Sequence, residues 1–149
     1  NEMTRANNPL ECNLDRYCCL DDYLDYIGKE ALQRILETGP KQRIRGVIFE
    51  GKPAPNCDSP WPIIADGKQV GHTTTVVWSI KLEANLSLAM IDRDFWDTNQ
   101  NVQVETPDGL KRNGTVAEFP LSFSKLTVFC KSDSFLSRHV QLPKLDANH

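Results

Sequence analysis

The chain has 149 residues, with 17 Lys and Arg against 20 Asp and Glu, a formal charge of −3, 40% hydrophobic and 25% charged residues. Those values describe an ordinary soluble globular protein, long enough for one domain, or one small domain plus a piece of another, with a core that needs no disulfide staples. Two classes fall away. Runs such as Val47-Ile48-Phe49 and Leu88-Ala89-Met90-Ile91 are strand-sized, far short of the ~18 apolar residues of a membrane span, and the near-neutral balance argues against a nucleic-acid binder that works by neutralising phosphates.

The first stretch, from Asn1 to Cys19, is irregular, with Pro9 and several Asn and Asp residues. A chain that opens on Asn1 and not Met is expected to be a processed product, a cloned piece or part of a gene. Residues 29–37 place Ala31, Leu32, Ile35 and Leu36 at helical spacing, and Gly39-Pro40 ends the helix, Gly as a left-handed cap and Pro as a block to continuation. Beyond Pro40 the grain changes to β-branched and aromatic residues broken by turn signals about every ten positions. Strands are expected at 43–50, 61–65, 70–79, 86–91, 102–106 and 110–119. Asp66-Gly67 is a two-residue hairpin signal and Pro107-Asp108-Gly109 a second turn. Six short strands with two tight hairpins predict a barrel, in which closure removes exposed edges. The proline-rich Cys57-Asp58-Ser59-Pro60-Trp61-Pro62 cannot sit in a central strand and is expected as a loop on the barrel surface. Residues 121–129 could add one strand, and residues 131–149 read as a loosely held tail.

Five cysteines, Cys12, Cys18, Cys19, Cys57 and Cys130, are an odd number, and the polar opening Asn1-Glu2-Met3-Thr4-Arg5 lacks a signal-peptide pattern. The simpler expectation is a reducing, cytoplasmic compartment with structural thiols, since Cys18-Cys19 has neither redox nor zinc-knuckle spacing. Asn85-Leu86-Ser87 and Asn113-Gly114-Thr115 match the glycosylation pattern, which carries no meaning in such a compartment. There is no glycine-rich phosphate loop, nucleophile elbow or His pair at metal spacing, so no metal site is expected. Asp92, Asp94 and Asp97 lack the glycine and terminal Glu of a calcium loop and read as a solvated turn. Arg43 and Arg45, with Lys41, form a basic row; they either hold the carboxylates of an anionic ligand by charge-assisted hydrogen bonds or make an exposed strand face. Trp61, Trp78 and Trp96 are amphipathic anchors that either seal the barrel or a neighbouring domain, or stack on a ligand. His72 reads as structural or surface. Glu11 stands in an irregular segment where a carboxylate needs a reason to be held: it lines a site or an interdomain contact, or pairs locally near Asp15 and Arg16.

Asn8-Pro9-Leu10-Glu11-Cys12-Asn13-Leu14, Ile27-Gly28-Lys29-Glu30-Ala31-Leu32, Gly39-Pro40-Lys41 and Arg45-Gly46-Val47 together resemble, in order, the last third of the tetrahydrofolate-dependent aminomethyltransferases, the glycine-cleavage T-protein family. Val70-Gly71-His72-Thr73-Thr74, the run from Asn85 to Asp92, and Thr115-Val116 with Phe119-Pro120 continue the likeness. The run Glu11-Cys12-x-Leu14-Asp15-x-Tyr17, the proline-rich segment and Phe95-Trp96-Asp97 with Glu105-Thr106-Pro107-Asp108-Gly109 look most like the dimethylsulfoniopropionate demethylase branch.

The resemblance implies a mainly β fold: a C-terminal six-stranded β-barrel of the aminomethyltransferase type over residues 41–121, preceded by an irregular segment and one helix. Residues 1–40 would end the second, folate-binding α+β domain of a three-domain enzyme, and 122–149 would be a tail. It implies tetrahydrofolate as cofactor, dimethylsulfoniopropionate or a related one-carbon donor as small-molecule substrate, and missing N-terminal domains of the same polypeptide as partners. The family's catalytic region would lie upstream of Asn1, so no catalytic residue is assigned; Glu11, Arg43, Arg45 and Trp78 are the positions expected near the folate channel. Asn13 stands where the family usually has Gly and Ile80 where Ser-Pro is typical, so a tight conformation at 13 must be tolerated by Asn. The readings kept are a demethylase-type methyltransferase, an aminomethyltransferase on other donors, and a non-catalytic barrel that binds folate or a partner. An enzyme piece is expected to expose an apolar face before Gly28 and at Trp61 and Trp78, where absent domains pack.

Overall fold

The computed structural model describes residues 3–20 and 24–118 of the chain. Its elements are a 3-10 turn at Asp15–Tyr17, helix α1 at Lys29–Thr38, and strands β1 Gln42–Phe49, β2 Pro62–Ala65, β3 Lys68–Ser79, β4 Ala84–Asp92, β5 Asn101–Glu105 and β6 Lys111–Ala117, with a second 3-10 turn, Arg93–Phe95, between β4 and β5. The strands close into a six-stranded antiparallel barrel in the order β1-β4-β3-β2-β5-β6. The expected strand at 121–129 and the tail lie outside the described residues.

Alternation dictates the core. Along β1 the side chains of Val47 and Phe49 point inward, and across β4 their partners are Ser87 and Asn85. With Ile63, Val70, Ile91, Val104 and Val116 they form one buried cluster inside the barrel. Each such side chain contributes about 1.5–3 kcal/mol by leaving water. The β2–β3 turn has both central residues at positive φ, Asp66 at 50° and Gly67 at 75°, the twist that a two-residue hairpin needs. In the β5–β6 turn the Gly109 amide donates to the Thr106 carbonyl at 2.9 Å, and Gly109 takes φ 78°, a three-residue loop with its glycine in the left-handed position.

β3 is long because it serves two neighbours. Its first residues pair with β2 and its later ones with β4, and an extra residue at Thr74, between the Thr73 and Thr75 pairings, bends it between them. The crossing is close at Gly71, where a Cβ would lie 2.3 Å from the Met90 carbonyl oxygen, so only glycine fits.

Several boundaries differ from the sequence expectation. The second strand starts at Pro62 and not Trp61: a proline is tolerated as the first residue of a strand, and Pro62 pairs there with His72. The last strand ends at Ala117. Gly39 has φ 75° but ψ 148°, so it ends α1 with a turn into extended chain and not as a left-handed cap.

Trp61 corrects a larger expectation. It is 3% exposed, part of the barrel core, and its amide donates to the Thr73 hydroxyl at 3.0 Å, so no exposed face exists there. Exposed apolar side chains do stand at Leu24, Ile27 and Leu36 on the arm and at Val77 and Ile80 on the barrel, while Trp78 is half-buried. Helix α1 has an apolar stripe yet buries none of its residues. No helix among the described residues is long and apolar enough to cross a membrane.

Candidate functional site

Among the described residues β6 covers one side of β1 only from Gly46 to Phe49, and the first half of that strand edge has no strand neighbour there. The irregular segment before α1 takes that place. The Ile44 amide donates to the Glu11 carbonyl oxygen at 2.7 Å and the Asn13 side-chain amide donates to the Ile44 carbonyl at 3.0 Å. Leu10 is fully buried in this segment, and Ile44 and its cross-strand partner Met90 are buried on the outer face of the barrel. Asn13 has φ 58°, so the position that favours glycine is held by an asparagine whose side chain repays the strain with a hydrogen bond.

This anchoring brings Glu11 to the end of the barrel that carries Arg43 and Arg45. Glu11 is 7% exposed. Its Oε2 accepts from the Asn8 amide at 3.3 Å and from the Asn7 side-chain amide at 3.4 Å, which fixes the carboxylate in its own turn. Arg43 and Arg45 share the inward-pointing phase of Val47 and Phe49, opposite Ile91 and Ala89, so they are partly buried at the barrel's end and do not form an exposed strand face. Arg43 pairs with Asp15 at 3.1 Å, and its Nε is buried with no acceptor among the described residues. Arg45 Nε donates to the Trp96 carbonyl at 2.9 Å. Burial, and then the Arg43 charge beside it, lowers the Arg45 guanidinium from its ordinary value.

Trp78 lies elsewhere. It pairs with Asn85, opposite Phe49, six rungs along β4 from the Arg43 partner Ile91, or roughly 20 Å at strand rise. The structure therefore brings the two arginines together, sets the Glu11 main chain beside their strand with its carboxylate held by Asn7 and Asn8, and separates Trp78. Trp96, one of the three tryptophans expected either to seal the barrel or a neighbouring domain or to stack on a ligand, stands with the arginines. Its signal was local: a tryptophan in the turn immediately after the strand that pairs with the basic row.

Cys12, Cys18, Cys19 and Cys57 are free thiols. Burial, with Glu11 second, pushes the Cys12 thiol up, and burial, with Asp15 and Cys19 behind it, does the same to Cys18, so neither is an activated nucleophile. Cys130 lies outside the described residues. Asp92, Asp94 and Asp97 do not gather: among the described residues no group of three or more His, Cys, Asp or Glu could hold a metal ion.

The profile of the glycine cleavage T-protein C-terminal barrel domain matches residues 42–122. The chain belongs to that family. The dimethylsulfoniopropionate demethylase of Ruegeria pomeroyi is 40% identical over 111 residues, which cover 74% of this chain and 30% of that protein. The aminomethyltransferase of Synechococcus sp. strain CC9902 is 35% identical over 104 residues, 70% of this chain and 28% of its own length. The chain thus spans under a third of the curated relatives it matches. In fold it is similar to the glycine cleavage system aminomethyltransferase T of Bartonella henselae, with a TM-score of 0.69, 16% identity, and coverage of 80% of this chain and 33% of that one.

Proposed function

We propose that this chain is the C-terminal portion of a tetrahydrofolate-dependent methyltransferase of the dimethylsulfoniopropionate demethylase kind. The 40% identity to such an enzyme supports the branch. The observation that carries the reading is the hydrogen bond from the Ile44 amide to the Glu11 carbonyl: it sets a fixed carboxylate residue beside a strand whose residues on either side of Ile44 are the two arginines.

The donor set suits the ligand. A carboxylate accepts from the N–H groups of a reduced pterin, and guanidinium groups bind carboxylates such as a glutamate tail in paired, charge-assisted hydrogen bonds. The buried Arg43 Nε, which meets no acceptor among the described residues, is a donor for which such an anion supplies a partner. Bound tetrahydrofolate supplies N5 as the acceptor of the one-carbon unit. The chain's own residues hold and orient. A sulfonium is already an activated methyl donor with a neutral leaving group, so the protein's work is alignment of the acceptor with the methyl carbon. The family's catalytic region and substrate pocket belong to the part of the relatives that this chain does not span, and residues 1–40 are read as the end of the preceding domain, whose remainder would cover the exposed Leu24, Ile27 and Leu36.

A second reading, an aminomethyltransferase acting on glycine-derived or N-methyl donors, draws on the 35% identity to such an enzyme. One assay separates them. The protein isolated from its source is incubated with tetrahydrofolate and dimethylsulfoniopropionate, and 5-methyltetrahydrofolate is measured. Turnover is expected, with Arg45→Gln lowering kcat/KM by about 10- to 100-fold through loss of a charged hydrogen bond. No methyl transfer from the sulfonium, with transfer from a lipoyl-bound aminomethyl donor, moves the assignment to the second reading. No transfer from either leaves the barrel as a binding module.

A further inference from the structure

Arg43 and Arg45 stand two residues apart on one face of β1, so two like charges are held on the same side of one strand. Long side chains of the same sign in that position diverge into water unless something holds them. Both converge here on one indole. Their guanidinium carbons lie 5.3 and 5.8 Å from the centroid of the Trp96 ring, and Arg45 Nε also donates to the Trp96 carbonyl at 2.9 Å. Trp96 is itself anchored. It follows the 3-10 turn Arg93–Phe95, whose first amide donates to the Lys41 carbonyl at 2.9 Å, and the Arg93 guanidinium donates to the Pro40 carbonyl from Nε at 2.9 Å and Nη2 at 2.6 Å. Trp96 and Phe95 both pack against the barrel core.

We infer that Trp96 is a positioning residue, whose ring and main-chain carbonyl fix the Arg43 and Arg45 guanidinium groups side by side as one anion receptor at the end of the barrel. The identity of the anion rests on the folate reading above; the role of Trp96 rests on this geometry. The negative face of the ring attracts both cations, most strongly where water is excluded. The Trp96 carbonyl takes the Arg45 Nε donor and Asp15 takes Arg43 Nη2 at 3.1 Å, while the charges of Glu118, Asp97 and Asp15 act on Arg45, so a bound carboxylate competes at this pair with acids of the chain itself.

The test observes the guanidinium groups themselves. Arginine Nε–Hε signals of the whole chain are recorded by NMR, with those of Arg43 and Arg45 assigned by R43K and R45K. In W96F, which keeps an aromatic face, both signals are expected to stay dispersed; in W96L both are expected to collapse to the position of exposed arginines. Dispersed signals in W96L overturn the role. Fluorinated tryptophan, which keeps the shape of the ring while draining its face, covers the case of a W96L chain that does not fold: both signals are expected to move progressively with fluorine count, and signals that stay put overturn the role.

Tetrahydrofolate is then titrated into the unmodified protein isolated from its source. Movement of the same two signals, with the dissociation constant raised about tenfold in W96L and within about threefold in W96F, supports the receptor. If tetrahydrofolate moves neither signal while fluorination does, the folate reading fails and the positioning role stands.

Discussion

The barrel and the arm that precedes it are built on opposite terms. Between Gln42 and Ala117 every strand has two neighbours over part of its length, and the side chains of the inner face fill a single core. Among the described residues the arm has no core of its own: its segment before Asp15 is held by the buried Leu10 and Cys12 and two hydrogen bonds to Ile44, and its helix buries nothing. Stability therefore resides in the barrel, while the arm brings in the acidic residue of the candidate site and presents apolar surface outward.

The contrast can be broken at its strong end first. Phe49→Ala opens a cavity among the inner-face side chains and is expected to cost about 3–5 kcal/mol in chemical denaturation, with a loss of cooperative unfolding of the whole barrel. Leu10→Ala is expected to cost about 2–5 kcal/mol, but locally. Hydrogen exchange is expected to quicken at residues 9–14 and at the Ile44 amide, and to stay slow at Phe49 and Val104; equal quickening at all of them means that arm and barrel are one cooperative unit.

A smaller effect tests the barrel's turns. The Thr106 hydroxyl bond, followed by Arg112, holds the Asp108 carboxyl below the usual carboxylate range. A depressed folded-state value contributes stability that is fully present above the unfolded value, about 3.9 for Asp, and is lost as pH falls through the folded value. Asp108→Asn is therefore expected to lower the Tm at neutral pH, with the gap from the unmodified chain closing below about pH 4; a gap independent of pH would show that charge plays no part. The smallest effect belongs to the arm. Ile27→Ser, at a fully exposed position, is expected to change stability by no more than about 0.5 kcal/mol while reducing self-association in sedimentation.

How far the fold could be read from sequence follows the range of the interactions involved. Alternation in β1 and β4, and the positive-φ residues of Asp66-Gly67 and Gly109, are local, and six strands with two hairpins came directly from them. The pairing of β1 with both β4 and β6 is not local, so the free half-edge of β1 and its capture by residues 11–13 left no trace in periodicity. The same limit left the direction of Arg43 and Arg45 open: a basic row beside a turn reads either as a ligand contact or as an exposed strand face, and only the phase set by Val47 and Phe49 in the closed barrel turns it inward. Trp61 failed for a related reason. A proline on either side marks a loop, but the loop folds back so that its tryptophan fills the core behind Thr73. Glu11, Arg43 and Arg45 were singled out by resemblance and charge, and Trp96 was seen as an anchor without the partners that define it.

The bond from the Ile44 amide to Glu11 also bears on solubility. That amide belongs to the stretch of β1 that no strand covers among the described residues, and an uncovered row of backbone donors and acceptors is a template for another chain. The arm thus works as a built-in chaperone for the seam. A version of the chain cut just before β1 keeps its core but shows a raw strand edge, and two such barrels would zip together along it.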